Sequence, residues 1–236
     1  KFDNFTRGFV EVLAAEQTLS DSSWYQGTAD AVRQHLGHFL NHRFDYFLIL
    51  SGDQLYNMDF RHVLDQHIKN KAGLTVATIP VNRQAVSDFG VMQIDETRQI
   101  REFVEKPKDD GVIDSLRIPS ETRMDLGLGE DEDQYLASMG IYVFNRELML
   151  DFLDSEHIDF GKHIIPEAIK KCRAFSYVYQ GYWEDVGTIR TFFESNLDAA
   201  SELPKFNFFD MKAPIFTRPR FLPGSKINGA AIDHAV

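Results

Sequence analysis

Short apolar runs alternate along the chain with stretches in which apolar residues recur every three or four positions, the pattern of strands interleaved with amphipathic helices. Tyr46 to Leu50 is an unbroken apolar run, too short for a helix core and rich in aromatic and branched side chains. It predicts a strand buried on both faces of a parallel sheet. Ser51-Gly52-Asp53 ends the run. After a short loop, Asp59 is placed to cap a helix with an inner face of Phe60, Val63, Leu64, His67 and Ile68. Gly73 supplies a stop and Leu74 to Pro80 a further strand, which makes one right-handed parallel crossover.

The same reading gives a strand over Phe9 to Ala15 and a helix from Thr28 to about Asn41, with Ala29, Val32, Leu36, Phe39 and Leu40 on one face. Phe89 to Asp95 and Gln99 to Lys106 form a hairpin around Asp95-Glu96-Thr97-Arg98. Pro107 to Gln134 is polar and acidic and reads as a long surface insertion. Tyr135 to Phe144 returns to a buried strand, followed by a helix through Leu148, Leu150, Phe152 and Leu153. Asp159 to Lys171 is a short helical stretch containing Pro166, and Ala174 to Gln180 a last strand. Thr188 then caps a final helix carrying Ile189, Phe192, Phe193 and Leu197. Residues 1–201 thus read as one large α/β domain. Residues 202–226, with four prolines and no period, read as a linker, and 227–236 as the first coil of a β-solenoid.

Composition narrows the function classes. At 43% hydrophobic residues, including 20 Phe, the chain can bury a substantial core. A net charge of −11 argues against a nucleic-acid or anionic-membrane surface, so a phosphate-bearing substrate needs local cations or a metal. Cys172 is the only cysteine, which excludes internal disulfides and fits a reducing compartment. No apolar run approaches a membrane span and no signal peptide is visible. The chain opens at Lys1 and ends on Ala235-Val236 in mid-pattern, as a piece of something longer at both ends does.

A few residues invite chemistry. Asp53 is expected just beyond the carboxyl end of a central strand, where open α/β sheets bind ligands; a plain Gly-Asp turn is the competing reading. Asp185, after a strand and before a helix cap, has the same context, and two such carboxylates suit one Mg²⁺. Glu105-Lys106-Pro107 ends a strand with a carboxylate and an ammonium, either an ordinary exposed end or a site for a sugar hydroxyl and a phosphate. Trp183 is core packing or a sugar platform. His35, His38 and His42 share a helical face, but it lies opposite the apolar stripe and reads as solvated.

QGTADAV, SGDQLYNMD, FVEKP, ASMGIYVF, DFGKHIIP and YWEDVGT occur in this order. On these motifs the chain closely resembles the glucose-1-phosphate adenylyltransferases (ADP-glucose pyrophosphorylases) among the sugar-1-phosphate nucleotidyltransferases. VEKP is shared across the superfamily; WYQGTADAV with ASMGIYVF is more particular to the ADP-glucose branch. The resemblance implies a Rossmann-like mixed α/β sheet of the nucleotide-diphospho-sugar transferase kind, followed by the start of a left-handed β-helix. It implies transfer of AMP from ATP to α-D-glucose 1-phosphate, with Mg²⁺ as cofactor, in a homo- or heterotetramer of the cytoplasm or plastid stroma, for glycogen or starch synthesis under allosteric control. Asp53 and Asp185 would hold the Mg²⁺ that bridges ATP and the sugar phosphate, with Asp53 and Lys106 catalytic. Gln26 and Gly27 would sit against adenine, glycine because a side chain would block the base. Tyr25, Gly90, Glu105, Lys106 and Ser138 would line the sugar-phosphate site, with Asp159 and Trp183 bounding the sugar side. The family opens with a glycine-rich, basic phosphate loop that this chain does not supply, so the resemblance is to a fragment that lacks it and most of the β-helix, inactive by itself if the loop is indispensable.

Three other readings compete. A non-catalytic regulatory subunit of the same family is disfavoured by the presence of Asp53, Lys106 and Asp185. A transferase using dTTP or GTP is disfavoured by QGTADAV. A glycosyltransferase would usually carry an Asp-x-Asp pair, where this chain has Asp53-Gln54-Leu55.

Overall fold

The computed structural model describes residues 10–14, 24–128, 134–215, 223–224, 226 and 228–231. It divides into two units, one of residues 1–51 and 60–179, the other of residues 52–59 and 180–236. In chain order the first unit holds helices α1 (Thr28–Gln34) and α2 (Leu36–Phe39) and strand β1 (Tyr46–Ile49). The second unit then takes β2 (Gln54–Tyr56) before the chain returns to the first as α3 (Phe60–Lys69), β3 (Leu74–Asn82), β4 (Gly90–Ile94) and β5 (Ile100–Glu105). Helices α4 (Asp110–Ser115) and α5 (Ser120–Leu126) lead to β6 (Gln134–Asn145) and α6 (Arg146–Leu153). A π-helical turn (Phe160–Ile164) runs into α7 (Ile165–Lys171) and β7 (Ala174–Val178). The second unit closes with β8 (Trp183–Asp185) and α8 (Ile189–Ala199).

The sheet of the first unit is organised by β6, a twelve-residue strand with both faces buried along most of its length. Such a strand needs neighbours on both edges to satisfy its backbone. β3 runs antiparallel beside it from Leu74↔Phe144 to Asn82↔Gln134, and β7 adds to β3 in parallel, so the sheet is mixed. Along its length β6 also pairs with β4 (Met92↔Leu136) and with β1 (Phe47↔Phe144), both antiparallel. Gly140, at φ +67°, lies opposite the place where the β3 register slips between Val76 and Thr78. Side chains of β6, β3, α6 and α7, among them Phe144, Leu74, Met149 and Ile165, form the main core. Each buried apolar side chain of this size contributes ~1.5–3 kcal/mol.

Several sequence expectations change. Tyr46 to Ile49 is a strand, but its sheet neighbour is the antiparallel β6, and Phe47 is buried while Leu48 is 41% exposed. The run therefore does not mark a doubly covered strand of a parallel sheet. β1 and β3 do run parallel, with β6 inserted between them. The expected strand over Phe9 to Ala15 is absent from its described part: residues 10–14 have no regular structure, and Val12 is 90% exposed. The helix from Thr28 breaks at His35, whose N–H donates to Val32 O, three residues back. His35 and His38 are half-buried rather than solvated, partnered by Tyr25 and Glu11. The expected insertion is mostly exposed along its described residues, but it carries α4 and α5 and is tied to the core: Ile113, Leu116, Ile118 and Leu126 are buried, and Arg117 bridges to Tyr135 of β6. Residues 227 and 232–236 of the expected solenoid lie outside the described residues, and 228–231 form no strand.

In the second unit, β2 and β8 make an antiparallel ribbon from Gln54↔Asp185 to Tyr56↔Trp183. Thr188 caps α8 as expected, in a reciprocal capping box with Thr191. The apolar residues of α8, Ile189, Phe192, Phe193 and Leu197, are all exposed. Phe206 is buried against Tyr182 and Phe208, which anchors the start of the proline-rich segment.

One buried polar group gives the fold a pH response. His67 of α3 is bonded through Nδ1 to Thr75 Oγ1 (2.8 Å) and through Nε2 to Asn145 Oδ1 (3.1 Å). Because Asn145 Nδ2 donates to Ala72 O, its Oδ1 is the acceptor, and the ring is neutral with its proton on Nε2. Burial lowers the His67 pKa from 6.5, with the Asn145 bond opposing. The unfolded chain therefore takes up the proton first: the stability is full above about pH 6.5 and is lost as the pH falls toward the folded value. Thermal unfolding is expected to show the melting temperature of the wild type falling more between pH 7 and pH 5 than that of His67→Gln. Parallel curves would remove His67 as the source.

Candidate active site

In the second unit the ribbon brings together two carboxylates that lie far apart in sequence. Asp53 immediately precedes β2 and Asp185 ends β8, and their backbones are tied by Val186 N donating to Asp53 O at 2.9 Å. Asp53 follows the end of β1 by four residues, as expected, and is held by the ribbon; the expected short loop after it is itself β2. The two side chains converge over Gly187. A Cβ there would lie 2.9 Å from Asp185 Oδ1 and 3.1 Å from Asp53 Oδ2. Asp185 Oδ1 also accepts from Gly187 N at 2.8 Å, which fixes its direction. Two hard anionic donors facing one cleared point fit Mg²⁺, which binds through one or two carboxylates and leaves its other positions to water and phosphate oxygens. Trp183, half-buried on β8, donates from Nε1 to Gln54 Oε1 (3.2 Å) across the same ribbon, so its ring is held in place.

In the first unit the second cluster forms around Glu105, the last residue of β5. A Cβ on Gly90, its cross-strand partner, would meet Phe103 Cζ at 2.3 Å and Glu105 Oε2 at 2.7 Å; one on Gly161 would meet the same oxygen at 2.8 Å and Asp159 Oδ1 at 3.5 Å. Gly161 thus leaves room for a half-buried carboxylate with a second carboxylate beside it, and Gly90 admits both that carboxylate and the Phe103 ring. Burial raises the Glu105 pKa; Lys106 pulls it down, Asp159 pushes it up and Lys162 pulls it down again. Lys106 is exposed and has a left-handed backbone, φ +48°, while its N–H donates to Phe89 O at 3.0 Å. An L-residue held there is strained, and such strain concentrates at functional positions. Ser138 is buried on β6, its hydroxyl 3.3 Å from Tyr142 Oη and accepting from Gly140 N.

The third group precedes α1. Tyr25 Oη bonds His35 Nε2 at 2.5 Å, Gln26 N donates to Asp30 Oδ2 and Gln26 Nε2 to Trp24 O. Gly27 has an extended backbone (φ 172°) that any residue can adopt. What it needs is space: a Cβ would lie 2.2 Å from Ile158 O. The structure therefore supplies a reason for glycine separate from the base contact that the motif implies.

Of the predicted residues, Gly90, Glu105 and Asp159 are brought together, as are Asp53 and Asp185. Tyr142 and Gly161 are additions. Burial pushes the Tyr142 phenol up to about 12, with the Ser138 bond opposing and Glu105 and Asp159 adding, so a neutral hydroxyl stands near both carboxylates. Tyr142 lies inside the run ASMGIYVF, where a tyrosine reads as core; Gly161 lies inside DFGKHIIP, where only the aspartate attracts attention.

A family model described as nucleotidyl transferase matches residues 1–202.

Proposed function

The chain belongs to the nucleotidyl transferase family, and on that premise we propose that it moves AMP from ATP to α-D-glucose 1-phosphate, releasing pyrophosphate and giving ADP-glucose for glycogen or starch synthesis. Its mixed α/β sheet is that of a nucleotide-diphospho-sugar transferase. The family's chemistry is nucleotidyl transfer onto a sugar 1-phosphate, with a nucleoside triphosphate as the other substrate. No helix among the described residues is long and apolar enough to cross a membrane. The choice of ATP and glucose rests on QGTADAV and ASMGIYVF.

The observation that carries the reading is the convergence of Asp53 and Asp185 over Gly187. Mg²⁺ held by these carboxylates would neutralise phosphate charge as the sugar phosphate attacks the α-phosphorus in line. Glu105 and Asp159 accept hydrogen bonds from sugar hydroxyls, and Gly90 and Gly161 let the Glu105 carboxylate sit where it does. Lys106, fixed at the end of β5, supplies a point charge for the sugar phosphate. Gln26 and Gly27 face the adenine side, and Tyr25 the sugar phosphate. No group here acts as a covalent nucleophile, and none is required, because such transfers proceed largely by positioning and charge neutralisation.

Pyrophosphate release by the full-length protein, with glucose 1-phosphate, Mg²⁺ and ATP, dTTP, GTP or UTP in turn, tests the reading. Turnover selective for ATP is expected. Selectivity for another nucleotide would move the assignment to a sister transferase, and folded protein without turnover would move it to a regulatory subunit.

A further inference from the structure

Asp159 sits between two residues that are both tied to helix α1. Ile158 O accepts from Ala29 N (3.0 Å) and Asp30 N (3.3 Å), so a remote carbonyl caps the helix N-terminus. Phe160 N donates to Thr28 Oγ1 (3.3 Å). Asp159 Oδ1 then accepts from Lys162 N at 2.9 Å and starts the π-helical turn that carries Gly161.

Arg33, one turn further along α1, completes this seam. Its Nε donates to Leu153 O (2.9 Å), the last carbonyl of α6, and one terminal nitrogen donates to His157 O. The other terminal nitrogen reaches Asp30 Oδ1 at 3.2 Å, and the second oxygen of Asp30 holds Gln26 N at 2.9 Å. On its far side His157 is fixed through Nε2 to Glu167 Oε2 at 2.5 Å. A single planar fork therefore joins the segment before Asp159 to the stretch Tyr25-Gln26-Gly27. Lysine, a point donor on a flexible stem, cannot span the same carbonyls.

We propose that Arg33 is a positioning residue for substrate binding: it holds residues 153–160 against α1 so that Asp159 and Gly161 are presented beside Glu105, in register with Gln26. This rests on the sugar-phosphate reading of that cluster. Arg33 touches no substrate; it acts through Asp159 and, by way of Asp30, through Gln26.

The test is steady-state kinetics of the full-length protein carrying Arg33→Ala or Arg33→Lys, with hydrogen exchange at Ala29, Asp30 and Phe160. Arg33→Ala is expected to raise KM for glucose 1-phosphate about tenfold and KM for ATP less, with kcat within about twofold, since the reacting groups are untouched. Exchange at the three amides should quicken. Added methylguanidinium should recover part of KM and methylammonium none, a distinction that a general loss of stability would not show. Folded Arg33→Ala with unchanged KM overturns the proposal, as does a loss of kcat alone or equal recovery by both amines. Should Arg33→Ala not fold, Arg33→Lys decides: a raised KM supports the proposal and an unchanged KM overturns it. If the wild type shows no turnover, the functional reading falls by itself. Exchange then judges the seam: unchanged rates in the variant overturn it, and faster rates sustain Arg33 as its holder.

Discussion

Replacing Asp185 by asparagine is expected to lower kcat by ~10³-fold or more while leaving the fold intact. Asparagine is nearly isosteric, and its Oδ1 can still accept from Gly187 N, the 2.8 Å bond that directs the side chain. What disappears is one of the two negative charges that face the point above Gly187. With one anionic ligand left, Mg²⁺ is held more weakly and less well placed, so more of it is needed for half-maximal rate. Asp53→Asn should behave alike, and the double variant should cost far less than the two single losses combined, because both residues serve one ion. Stability should be little changed, since the isosteric amide keeps the bond from Gly187 N. Kinetics against Mg²⁺ concentration together with thermal unfolding make the check. A folded Asp185→Asn variant with near-normal kcat would exclude the carboxylate pair from the chemistry, and a loss of kcat that tracks a lowered melting temperature would make its role structural.

The sequence was most legible where local chemistry decides structure. The turn of the β4–β5 hairpin follows from Asp95, whose Oδ1 accepts from Thr97 N and Gln99 N, and the start of α8 follows from Thr188. Tyr135 to Phe144 read correctly as a buried strand because its apolar run is long and its neighbours cover both faces. The shorter run Tyr46 to Leu50 misled because apolarity does not say which strands will lie alongside; Leu48 is exposed through its place in the sheet. Residues 107–134 are mostly surface, as read, and their buried positions were missed for the opposite reason. Ile113, Leu116 and Ile118 are spread among charges, and their burial depends on distant partners: Val86, Val91 and Tyr135 for the first two, the main core for Ile118. At the site, the carboxylates stood out individually, but the ribbon that joins them did not. Gln54–Tyr56 and Trp183–Asp185 are three residues each, too short to show a period. Glu105 and Asp159 were visible as charges. The glycines that make space for them, and the tyrosine beside them, gain meaning only from what lies within a few ångströms.

Gly27→Ala should be the most damaging single methyl in the first unit. The added carbon would stand 2.2 Å from Ile158 O and 2.9 Å from the carbonyl carbon, both backbone atoms that cannot rotate away. Since φ is 172°, the backbone itself tolerates alanine, and the whole effect is steric. Relief requires moving Ile158 off the start of α1, which breaks its bonds from Ala29 N and Asp30 N. Overpacking of ~1–3 kcal/mol and two weakened hydrogen bonds of ~1 kcal/mol each would together lower the melting temperature by roughly 5–15 °C. The same shift carries Asp159 away from Glu105, so KM for the sugar phosphate should rise as well. Gly37→Ala is the matched control. The same methyl is added ten residues on, where nothing lies within 4 Å, and helix propensity makes the change neutral or stabilising by ~0.5–1 kcal/mol. A Gly27→Ala protein with the melting temperature and KM of the wild type would show that the Ile158 carbonyl can retreat freely, and that the close approach of residues 27 and 158 is incidental to the placement of Asp159.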